Sequence, residues 1–170
     1  MNVSNPSDFS RIKAKLLLRL IKELIMLNND ELQELVEDLH SEDLSMRVAT
    51  LETLQKYPSS DERVLQYIEA LLDDKTLCVL MLPYRFGEIR WLAAQALAAE
   101  RASLGNEEPV RLQSVVRPLD TEEFVALREK AGVKSRGGVD GVLEALATLR
   151  EMGQLPLYDL ELLLKIKKLA

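Results

Sequence analysis

The chain has 170 residues, 47 % hydrophobic and 29 % charged, with 22 Lys and Arg against 28 Asp and Glu and a net charge of −6. A chain this long buries roughly 68–70 % of its unfolded surface, so a single domain over 1–170 needs no metal or disulfide to fold. The charge is uneven, +3 over 1–27, −9 over 28–79 and zero over 80–170, which excludes a phosphate-binding surface along the acidic middle.

Seven Gly, six Pro and 5 % aromatic residues suit helices better than sheets. The one cysteine, Cys78, cannot form an intrachain disulfide, and the expectation is a cytoplasmic protein. Leu16 to Leu27 is apolar and follows Arg11, Lys13 and Lys15 as a signal sequence would, but Arg19, Lys22 and Glu23 interrupt it. The same charges argue against a membrane span.

Ser7 or Ser10 opens a first predicted helix to about Leu27, with Leu16, Leu17, Leu20, Ile21, Leu24 and Ile25 on a wide apolar arc and a basic edge opposite. Asn28 and Glu31 stand at capping-box spacing before a helix ending near His40. The next helix runs from about Leu44 to Tyr57 and stops at Pro58. Ser59 and Glu62 repeat the capping-box spacing before a helix to about Asp73. Lys75 to Gly87 reads as an apolar connection, followed by an alanine-rich helix from about Glu88 to Leu104 with Gly105 as its cap. Residues 106–119, holding Pro109 and Pro118, are expected to be extended. Further helices are predicted from Asp120 or Thr121 to Ala131, from Asp140 to Met152, and from Leu157 to about Leu169 after Pro156. That is an all-α architecture of about eight helices.

Two stretches repeat. Met46-Arg47-Val48-Ala49 to Leu54 overlies Ile89-Arg90-Trp91-Leu92 to Leu97 at an offset of 43, and Glu31 to Leu35 overlies Val64 to Ile68 at an offset of 33. Each pair supplies one helix of a repeated hairpin. The change of offset places about ten inserted residues within Lys75 to Gly87. Over residues 28–105, and most closely at Glu88-Ile-Arg-Trp-Leu-Ala-Ala-Gln-Ala-Leu97, the chain resembles a HEAT-repeat protein. The resemblance implies a HEAT-like stack of antiparallel helical hairpins, with 1–27 as a packing helix and 106–170 as a helical C-terminal extension. It also implies a scaffold or adaptor role, with Asp43 and Arg47 as a structural ion pair; Arg90 lacks the corresponding acidic neighbour in the preceding turn.

Candidate sites are few. Cys78 has no nearby base, since the single histidine, His40, lies on another predicted helix. Glu31, Glu34, Glu37 and Asp38 read as a solvated face, as do Glu122-Glu123 and Glu69 with Asp73 and Asp74. No catalytic residue, metal site or cofactor is expected. Ser135-Arg136-Gly137-Gly138 lacks the spacing of a phosphate loop and reads as a turn. The strongest feature is Tyr84, Arg85 and Phe86 in the insertion, followed by Arg90 and Trp91, because aromatic and arginine side chains dominate binding hot spots.

The expected function is therefore a non-catalytic interaction module binding a protein partner through Tyr84, Arg85, Phe86, Arg90 and Trp91. The alternatives are an enzyme or cofactor-handling protein holding a small anionic ligand through Arg85, Arg90 and Arg101, and nucleic-acid binding by Lys15, Arg19 and Lys22, which the acidic middle disfavours.

Overall fold

The computed structural model describes residues 26–80 and 85–163. The helix expected up to Leu27 therefore lies almost wholly outside the described residues, as do Tyr84, Lys165, Lys167 and Lys168. The described residues form six α-helices, one 3-10 turn and five strands.

The first half is helical, and its capping signals act locally. Helix α1 (Asn29–Leu39) opens on a reciprocal capping box, in which the Asn28 side chain accepts from the Glu31 N–H and the Glu31 side chain accepts from the Asn28 N–H. Helix α2 (Leu44–Lys56) is capped by Asp43, whose carboxylate accepts from the Ser45 N–H. Helix α3 (Glu62–Glu69) tightens into a 3-10 turn over Ala70–Asp73. Its cap is Asp61 rather than Ser59. The Ser59 N–H and hydroxyl and the Ser60 N–H instead donate to the buried carboxylate of Glu100 on helix α4 (Ile89–Ser103), so the turn after Pro58 is tied to the core.

The all-α expectation fails in three places, and the HEAT-repeat resemblance and the solenoid fail with it. The inserted segment is a β-hairpin, β1 (Leu77–Leu80) antiparallel to β2 (Arg85–Glu88), with Val79 opposite Phe86 and Cys78 opposite Gly87. Residues 110–116 form β3 (Val110–Val116), and β4 (Leu119–Asp120) adds to β2 to complete a three-stranded sheet in the order β1-β2-β4. The last predicted helix is a strand, β5 (Leu157–Leu162), antiparallel to β3. Its residues carry the reason: Tyr158, Leu160 and Leu162 alternate with Asp159 and Glu161, a period of two that matches Val110 and Leu112 alternating with Arg111 and Gln113. On the polar face Arg111 pairs with Glu161 at 3.1 Å. The fold is thus mixed α and β, with six described helices and two antiparallel sheets.

The ion pair implied between Asp43 and Arg47 is also absent. Arg47 donates to Asp74 at 2.7 Å, while Asp43 is occupied as a cap.

Helices α5 (Thr121–Ala131) and α6 (Gly138–Glu151) follow β4. Asp120 and Glu123 form a second capping box on α5, and Gly132 ends it in the left-handed conformation at φ 69°. The expected cap Asp140 lies inside α6, which starts two residues earlier. Gly141 permits that start, because a Cβ there would come within 2.3 Å of the Arg136 carbonyl oxygen.

Apolar side chains collect into two clusters. The larger holds Leu39, Leu51, Ile68 and Leu97 from the helical half together with Cys78, Ile89 and Val115. The smaller holds Phe86, Val116, Leu119 and Phe124 with Leu146 and Leu149 of α6. Strand alternation divides the work: Cys78 and Val115 face the first cluster, and Phe86 and Val116 face the second.

Arg63 donates to both oxygens of Asp61, and this bonding holds the Asp61 carboxyl below its usual range despite burial. A depressed carboxylate stabilises the fold above its unfolded pKa, and that contribution is lost as pH falls through the folded value. Asp61→Asn keeps a capping oxygen and removes the charge. It is expected to cost about 1.5–3 kcal/mol at neutral pH, the range for hydrogen bonds to charged groups. The difference from wild type should vanish at a pH that protonates Asp61, read by urea unfolding across a pH series.

Candidate functional site

Glu88 ends β2 and immediately precedes α4, so its side chain is fixed by a strand on one side and a helix on the other. It is 2 % exposed, and three groups converge on it. Arg90 Nε donates to Oε2 at 2.7 Å, the Val116 N–H donates to the same oxygen at 3.0 Å, and Arg150 Nη2 donates to Oε1 at 2.8 Å. Arg90, 6 % exposed, continues to the carbonyls of Gln113 at 3.3 Å and Ser114 at 2.6 Å. Arg150, from the last turn of α6, also donates to the Lys75 carbonyl at 2.8 Å.

Beneath Arg90, β3 is irregular. Leu112 pairs with Leu160 and Val115 with Tyr158, so three steps on β3 oppose two on β5, and Ser114 takes up the bulge at φ 51°. A non-glycine residue there is strained. Two contacts hold it, Arg90 on the Ser114 carbonyl and Asp159, whose carboxylate accepts from the Ser114 N–H at 2.9 Å.

A cleft of about 260 Å³ opens over this network, lined by Lys75, Glu88, Arg90, Arg150, Leu155 and Leu157 among others. A second groove, about 280 Å³ and mostly apolar, lies beside the hairpin and is lined by Val79, Phe86, Thr121, Gly138, Val139 and Val142.

Of the five residues expected to share one binding face, the four that are described are separated by the fold. Arg85 is exposed on β2, opposite Asp120. Phe86 is buried against Phe124 at 5.1 Å between ring centroids and forms part of the apolar groove. Arg90 lies in the charged cleft, Trp91 is half-buried against the larger cluster, and Tyr84 falls outside the described residues. The missing acidic neighbour of Arg90 is Glu88, two residues before it.

Arg85, Arg90 and Arg101 do not converge. Arg90 and Arg101 lie roughly 16 Å apart along α4 at about 1.5 Å per residue, and Arg101 is paired with Glu69 at 2.8 Å. Glu88 drew no attention in the sequence as a functional group, nor did Arg150 or Lys75, because a lone charge carries no local signal of a partner 62 residues away.

The other candidates are engaged in structure. Cys78 is buried, and burial pushes its thiol up to about 12. His40 shares a 2.8 Å hydrogen bond with the Val36 carbonyl and meets Tyr67 edge-on. Glu123 pairs with Arg117, which lowers its carboxyl and raises the guanidinium, and Arg117 also lies 5.5 Å over the Tyr158 ring. Ser135 donates to the Gly141 carbonyl and so closes the turn before α6. Among the described residues no group of three or more His, Cys, Asp or Glu is arranged to hold a metal, and no helix is long and apolar enough to cross a membrane. No protein-family model, no curated protein and no solved structure matches the chain.

Removing the shared carboxylate strands Arg90 in the interior. Glu88→Ala is expected to destabilise by about 3–5 kcal/mol, as loss of one partner of a buried pair does, measured by urea unfolding followed through Trp91 fluorescence. Native Cys78 should stay unreactive toward a disulfide reagent at pH 8 and react fully once the chain is unfolded. Rapid labelling of the folded protein would show that the thiol is accessible.

Proposed function

We propose that the protein is a non-catalytic interaction module, an adaptor or scaffold, that receives an apolar side chain of a protein partner in the groove beside the β1–β2 hairpin. The observation that carries this reading is Val139, 54 % exposed at the start of α6 and next to a groove formed by Val79, Phe86 and Val142. An apolar wall around an aromatic ring gains free energy when a partner side chain displaces water from it, by about 25 cal/mol per Å² covered. Buried ring pockets of this kind anchor hot spots. Arg85, the residue before Phe86 on β2, is exposed, but strand alternation turns it to the other face of the sheet and its charge acts on Glu123.

The reading keeps the insertion as the recognition element but moves the contact surface. Phe86 forms the floor, and Arg90 and Trp91 serve the fold rather than the partner. Against catalysis stand the engagements of Cys78, His40 and Glu123 described above. A cytoplasmic location goes with this reading, resting on the lone buried thiol.

Val139→Asp should abolish capture of the partner from the native cell extract while leaving the unfolding midpoint within about a degree, since exposed substitutions usually change stability by less than about 0.5 kcal/mol. Met46→Asp, at an exposed site on α2, is the control and should capture as wild type does. If every protein bound by wild type is also bound by Val139→Asp, the groove is not the contact surface.

A further inference from the structure

We propose that the cleft over Glu88, Arg90 and Arg150 is a binding site for a small aliphatic carboxylate, distinct from the apolar groove. Glu88 supplies one negative charge to two guanidinium groups, and its carboxylate oxygens already accept from Arg90, Arg150 and the Val116 N–H. The triad therefore carries an excess positive charge, and it falls on Arg150, the partly exposed member, because Glu88 and Arg90 are buried and balance each other. A guanidinium that shares its one carboxylate with a second arginine, at the edge of a cleft, is a ready partner for a further anion. The opening onto it adds a further cation, because Lys75 lines the cleft and its ammonium has no ion-pair partner among the described residues.

Arg150 is the group that meets the ligand. It is bonded through Nη1 to the Lys75 carbonyl and through Nη2 to Glu88, and it is about one-third exposed, which leaves N–H donors of its fork facing the cleft. A planar carboxylate fits that fork, with the Lys75 ammonium as the second contact. The remaining wall selects the rest of the molecule. Val116, Leu155 and Leu157 line the same cleft, and Leu157 is 60 % exposed. At about 260 Å³ the space falls below the roughly 300–1,000 Å³ of drug-sized sites. The ligand is thus a short-chain acid, its head on Arg150 and Lys75 and its chain along Leu155 and Leu157.

The test is calorimetric titration of the full chain with acetate, butyrate, hexanoate, hexanamide and inorganic phosphate at constant ionic strength. Hexanoate should bind with a dissociation constant of about 1 mM or tighter, near −4 kcal/mol. It should bind about tenfold or more tighter than acetate, because added methylenes are each worth up to about 0.8 kcal/mol when buried, while hexanamide and phosphate bind far more weakly. Lys75→Gln leaves the backbone carbonyl that Arg150 uses, so it keeps the fold and should weaken hexanoate about threefold to tenfold, as loss of one charge-assisted contact does. Leu157→Ser should remove the dependence on chain length. A leucine-ending peptide with a free carboxylate, set against its amide, separates a chain end from a free acid as the source of the group. Hexanoate binding no tighter than acetate, hexanamide or phosphate, or unchanged in Lys75→Gln, would overturn the assignment.

Discussion

The buried carboxylate of Glu88 is the point at which the two halves of the molecule meet. Its hydrogen bonds reach the first turn of α4, the end of β3 and the last turn of α6, elements that belong to different apolar clusters. Apolar contact alone is non-directional and would permit several placements of one cluster against the other. Convergent bonds to one carboxylate permit a single placement, because each donor left without its acceptor in the interior is penalised by its full desolvation. The strained turn at Ser114 follows from the same constraint, since its carbonyl is where Arg90 ends.

A second carboxylate acts in the same way at the other end of α4. Burial raises the Glu100 carboxyl above its ordinary range, against the opposing effect of the donors from Ser59 and Ser60. Helix α4 thus carries one buried acid just before its start and another near its end, and each fixes a piece of irregular backbone. Between them Ala93, Ala94, Ala96 and Ala98 are buried, and their small side chains allow close packing against the neighbouring helices and β3. The charged cleft and the apolar groove lie on the side of this helix's start where the hairpin and α6 meet.

Separating the two openings has a chemical consequence. The groove beside Val139 is apolar and suits a side chain of a partner, whereas the cleft over Arg150 is cationic and suits an anion. The two are connected through Glu88 and Phe86, neighbours on one face of β2, and through Arg150 and Val142 on α6. Helix α6 therefore lines both openings, the cleft through Arg150 and the groove through Val139 and Val142.

By itself the sequence determined the helices whose ends are set by neighbours three or four residues away. The capping box at Asn28 and Glu31, the stop at Pro58, and the turn at Gly132 all depend on contacts within one turn of backbone, which residue spacing reports directly. The same spacing misled where an apolar segment was short. Leu77 to Leu80 is too short for its period to decide, and pairing with β2 decided for strand, whereas in Leu157 to Leu162 the period of two is present in the residues and pairing with β3 realises it. Residues 46–54 and 89–97 both lie in helices, but a β-hairpin stands between them beside α3, and the chain after α4 mixes strands with α5 and α6, so the two do not form a repeat of helical hairpins. The site was the least legible part. Arg90 was visible as an unpaired arginine, while Lys75 and Arg150 acquire meaning only when long-range packing brings them to one cleft beside the buried Glu88 and leaves the two guanidinium groups one carboxylate to share.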